Sequence, residues 1–213
     1  MQIATEHQPE TEPRPILVDL DLVTPYFRSR EAVRAMKVRG VQVIAPLALS
    51  QVIDVPAVVP EILGAIQQTD RPVILDVGGD EQGARALGQY SAALQKRGYA
   101  MYFVVNPFRP QSATPEAIVS SIEEIERSSR LRVAALVSNP NLMHETDPDT
   151  VMAGHAIVEE ASRLTSRPIT FLAMTQRMAA LLPQEWFAGQ VLCLRRYFTL
   201  PWEVEMGGRP SEL

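Results

Sequence analysis

A single cysteine, Cys193, stands in the chain of 213 residues. One thiol excludes an internal disulfide and any metal site built from several cysteines. It lies in the apolar run Val191–Leu194 and reads as a small core residue. Lysine is almost as scarce. Of the 20 basic residues only Lys37 and Lys96 are lysine, so most positive charge is arginine. The net charge of -5 removes the electrostatic reason to expect nucleic-acid binding. No window reaches the ~18 apolar residues of a membrane span. Met1–Arg14 is polar and lacks an apolar signal region. Together these absences lead us to expect a cytoplasmic protein with no membrane span.

What is present is enough for a core: 46% of the residues are hydrophobic. Apolar, β-branched runs occur at Pro15–Leu22, Val41–Ala45, Pro72–Asp76, Met101–Asn106, Val133–Asn139, Ile169–Ala173 and Val191–Leu194. Most are continuously apolar, as strands buried on both faces must be. Helical segments are predicted between them at Ser29–Val38, Ala57–Gln68, Asp80–Arg97, Thr114–Ser129 and Asp147–Leu164. Thr114-Pro115 and Asp147-Pro148 each supply a cap followed by a first-turn proline. Gly98 is placed to stop the third helix. Alternating strands and helices predict an α/β fold: a doubly wound, mostly parallel sheet with helices on both faces. We expect one domain over residues 1–213, with a tail at 207–213.

Such sheets bind ligands at the carboxyl ends of their strands. Asp19 and Asp21 stand at the first end, two residues apart and therefore on one side of an extended strand. Asp76 ends a later strand and runs into Gly78, Gly79 and Asp80. A carboxylate there can hold a Mg²⁺-bound water, and the glycines let the backbone approach a phosphate. Asp80 reads first as a helix cap. Asn106 and Asn139 repeat one device, a strand followed by Asn-Pro. Asparagine carries both donor and acceptor, which suits the edge of a base; it also forms turns before proline. Arg28 and Arg30 could meet phosphates or belong to a solvated helix start. His7, His144 and His155 fit no metal spacing and read as surface or loop residues. Ser138 has no evident base partner in the sequence.

Val18-Asp-Leu-Asp-Leu-Val-Thr-Pro-Tyr-Phe-Arg-Ser-Arg-Glu31 resembles the switch-I region of MinD/ParA/CobQ-type ATPases. Leu75-Asp-Val-Gly-Gly-Asp-Glu-Gln-Gly-Ala84 resembles their Walker B and switch II, and the two strand-end asparagines resemble their base-side positions. The resemblance covers nearly the whole chain. It implies a P-loop NTPase fold, ATP and Mg²⁺ as ligands, and nucleotide-dependent homodimerisation. By position, Asp19 and Asp21 would be the switch-I carboxylates, catalytic, with Asp19 also toward the metal. Asp76 would be the Walker B metal acid and Gly79 the γ-phosphate sensor beside Gly78. Asn106 would contact the base first, with Asn139 as its counterpart.

The family's phosphate loop ends in Gly-Lys-Ser/Thr, and no such motif occurs here. The first lysine and first glycine, Lys37 and Gly40, both follow the switch-I segment. Met1–His7 reads as the end of the helix after that loop. This predicts a missing strand–loop–helix unit of about 25–35 residues and negligible hydrolysis by the chain as given. The alternative is a naturally degenerate, non-catalytic module that docks a protein partner. A haloacid-dehalogenase-type phosphatase would want a threonine where Val23 stands. A receiver domain would want a lysine at a late strand end, and neither lysine is there.

Overall fold

The computed structural model describes residues 14–20, 36–44, 60–68, 70–183, 186–187 and 189–195. The chain divides into two compact units, 1–99 with 128–130, and 100–127 with 131–213. Both are α/β. The fold is of the doubly wound type: parallel strands alternate with helices along the chain.

The first unit holds strands β1 (Ile16–Asp19), β2 (Gln42–Ile44) and β3 (Val73–Asp76) in the order β2-β1-β3, all parallel. Central β1 has the same composition as β3 but is the more buried, with Ile16, Leu17 and Val18 all buried. Helix α1 (Pro60–Gln67) buries Ile62, Ala65 and Ile66. The predicted helix over Asp80–Arg97 is two helices, α2 (Glu81–Gly88) and α3 (Ser91–Arg97). The break follows Gly88, which is tightly packed. A Cβ on Gly88 would lie 2.8 Å from the Ser128 carbonyl oxygen, so that helix turn is pressed against residues 128–130. The Gly88 carbonyl accepts a hydrogen bond from the Arg130 guanidinium. Helix α3 stops at Gly98, whose φ of 85° suits glycine. Its Arg97 donates to the Ala65, Ile66 and Arg71 carbonyls and so closes the end of α1.

The second unit holds β4 (Tyr102–Val105), β5 (Ala135–Ser138), β6 (Ile169–Thr175) and β7 (Gln190–Leu194), parallel and in that order. Helices α4 (Pro115–Ser129) and α5 (Pro148–Thr165) put Ile118, Ile122, Val158 and Ala161 against Val105 and Leu136. Thr114 and Asp147 cap them as predicted, accepting from Ala117 N and Thr150 N. A short helix, α6 (Gln176–Leu181), was not predicted; Thr175 caps it by accepting from Met178 N.

All seven predicted strands are present. The sequence predicts one sheet, and the described strands form two, of three and four strands. Among the described residues no strand pairs with the outer edge of β3 or of β4. On β4, Tyr102 and Val104, which share one face of the strand, are 47% and 57% exposed. No described helix is long and apolar enough to cross a membrane.

Candidate functional site

In the first unit the strand-end carboxylates meet. β1 and β3 are in register, and Asp19 pairs with Asp76. Neighbouring strands lie about 4.8 Å apart, so the two residues start from adjacent backbones at one level. The Leu20 N–H continues the ladder by donating to the Asp76 carbonyl at 2.7 Å. Asp19 is half-buried and Asp76 exposed. Asp21, Arg28 and Arg30 lie outside the described residues.

Gly78 and Gly79 form the turn from β3 into α2. The residue that shapes this turn is one the sequence reading passed over. A Cβ on Gly83 would lie 2.3 Å from the Gly78 carbonyl oxygen, so only glycine lets α2 come this close. A Cβ on Gly79 would meet nothing within 4 Å, and packing does not explain that glycine. Asp80 caps α2 by accepting from Gly83 N at 2.7 Å. The result is a carboxylate pair followed by an accessible backbone turn and a helix N-terminus.

In the second unit, Asn106 and Asn139 follow the paired residues Val105 and Ser138 at neighbouring strand ends. Their side chains do different things. Asn106 Nδ2 donates to the Asn141 carbonyl at 2.8 Å, and its Oδ1 accepts from Phe108 N and Asn141 N. It clamps the loop after β5. Asn141 and Thr146 continue that loop's hydrogen bonding through Met143 N and Leu142 N. Asn139 is half-buried, and its side chain makes no hydrogen bond to another described residue. The repeated prolines have a packing reason. A Cβ on Gly154 of α5 would strike Pro140 at 2.6 Å and Pro107 at 2.9 Å, so both Asn-Pro turns rest on this glycine.

At the other ends of these strands, Glu126 of α4 joins three elements. Its carboxylate accepts from Arg167 at 2.7 Å, Arg132 at 2.9 Å and Val133 N at 2.8 Å. Its burial raises the carboxyl, but these donors outweigh that and hold Glu126 below the usual carboxylate range.

His155 corrects the sequence reading. It is buried, only 2% exposed, and its Nδ1 lies 3.0 Å from the buried Ser138 Oγ. The signal was periodicity: Val151, His155, Val158 and Ala161 share the buried stripe of α5. Ser138 is itself fully buried, so the pair lacks the access a nucleophile needs. Among the described residues no group of three or more His, Cys, Asp or Glu gathers to hold a metal. Cys193 is half-buried. No family model, curated protein or solved structure matches this chain.

Proposed function

We propose that the chain carries the switch-side and base-side residues of an ATP-binding, MinD/ParA/CobQ-type P-loop NTPase. The observation that carries this reading is the in-register Asp19–Asp76 pair at adjacent parallel strand ends, running into Gly78 and Gly79. Two oxygen donors side by side suit a hard cation such as Mg²⁺, which keeps several waters and takes the rest of its shell from phosphates. Asp76 and Asp19 would hold that ion, directly or through water. Bound Mg²⁺ supplies neutralisation of the charge that develops on the transferring phosphoryl group. Gly79, with open space where a side chain would be, can offer its N–H to a terminal phosphate. Of the two asparagines, Asn139 keeps its amide available for a base edge, whereas Asn106 spends its own on the loop. Nucleotide-dependent pairing of two copies in the cytoplasm belongs to the same proposal.

Hydrolysis by these 213 residues is expected to be negligible. No Gly-Lys-Ser/Thr is present to supply the N–H cradle and phosphate lysine. The exposed Tyr102 and Val104 of β4, a strand with no partner on its outer edge among the described residues, favour a second reading, a non-catalytic module that docks a protein partner. Melting temperature separates the two. The nucleotide reading expects a rise with ATP and Mg²⁺ that EDTA abolishes. No shift at millimolar ATP favours the docking module. Turnover by this chain at ordinary kinase or ATPase rates would refute the expected inactivity.

A further inference from the structure

The Ser138–His155 pair lies beneath the aromatic residues that follow α6. The His155 ring meets Trp186 edge-on at 5.3 Å between centroids and Phe187 at 5.0 Å. Trp186 and Phe187 in turn pack on the cluster of Val151, Leu172, Met174 and Met178. The groups that face the ring are few. β5 contributes the Ser138 hydroxyl, and the aromatic segment contributes two apolar rings. From its own helix comes Glu159, one turn on, with Oε1 3.7 Å from Nε2 and a side chain 62% exposed. Among the described residues Glu159 is the one charged group at ion-pair distance.

Glu159 on the Nε2 side favours the tautomer that carries its proton there. Nδ1 is then an acceptor, and the Ser138 hydroxyl donates to it. Protonation turns Nδ1 into a donor. The buried Ser138 proton loses its acceptor, and a positive charge appears among apolar rings. Burial holds the ring neutral by lowering its affinity for protons, and the exposed Glu159 offsets this only in part.

We propose that His155 is a proton-operated latch: neutral, it joins β5 to α5 and seats the Trp186–Phe187 segment; protonated, it releases that segment while the sheet stays folded. The inference is independent of the nucleotide reading.

Trp186 reports directly once Trp202, the other of the two tryptophans, is replaced by phenylalanine. Its emission is followed from pH 8 to 4.5 beside far-ultraviolet circular dichroism. The latch predicts one sigmoidal red shift of the emission maximum, as Trp186 enters water, with a midpoint below about 6.5, the ordinary histidine value, at constant dichroism. A loss of intensity without that shift, which the imidazolium alone would cause, would overturn it. His155→Gln, which keeps a partner for Ser138, removes the change. Glu159→Gln, at an exposed position, moves the midpoint further down. Emission that stays flat until the dichroism collapses would overturn the latch. So would an unaltered transition in His155→Gln, or an unmoved midpoint in Glu159→Gln.

Discussion

The two units spend their polar residues differently. In the second, strand-end and helix-end polar groups are turned inward on one another: Asn106 on Asn141, Thr146 on Leu142, Glu126 on two arginines. Each holds one piece of backbone to another. In the first, the strand ends carry two carboxylates side by side and then a glycine turn with open space at Gly79. The contrast teaches that strand ends of one fold type can clamp backbone, as Asn106 does, or set two carboxylates at one level beside a glycine turn.

The largest expected effect tests the architectural side. Glu126→Gln leaves the largely buried Arg167 without its charge partner, while Arg132 is exposed and loses little, and should cost about 3 kcal/mol. The pH dependence has a definite sign. The folded-state value of Glu126 is depressed, so its contribution is full above the ordinary glutamate value and is lost as pH falls through that value toward the depressed one. Denaturant midpoints of the wild type should therefore fall on acidification more steeply than those of Glu126→Gln. Parallel curves would remove the carboxylate from its assigned role.

Next in size is Gly83→Ala. The Gly78 carbonyl must move from a Cβ that would lie 2.3 Å away, at about 2 kcal/mol. Gly79→Ala, with open space around it, should change stability by less than about 0.5 kcal/mol. A reversed order in thermal melts would break the account of the turn.

Asn106→Ala should cost about 1–2 kcal/mol and raise amide exchange across residues 139–146. Asn139→Ala, with no hydrogen bond to another described residue to lose, should be nearly silent in stability. Equal costs would erase the distinction between the two asparagines.

Much of this was legible in the sequence. Buried strands announce themselves as apolar runs, and Asp80, Thr114 and Asp147 sit where caps are needed. What stayed hidden depends on contacts far along the chain. The packing of Gly88, at the break between α2 and α3, on residues some forty positions away could not be read from the sequence. The buried His155 is defined by Ser138, on the strand before it. The Asn-Pro repeat read as recurrent chemistry because its common support, Gly154, is invisible until α5 is in place. For the candidate site, the Asp19–Asp76 pairing followed from reading both runs as strands, while Asp21 lies outside the described residues.

The central claim is that the Asp19–Asp76 end of the first unit is a nucleotide's metal side. Substoichiometric Mn²⁺ with ATP, read as paramagnetic broadening of backbone amide signals, tests it most directly. The account predicts that Leu20, Val77, Gly78 and Gly79 broaden first, and that Asp76→Asn abolishes this with the fold intact. Broadening that spares these amides, or that persists unchanged in Asp76→Asn, would contradict it.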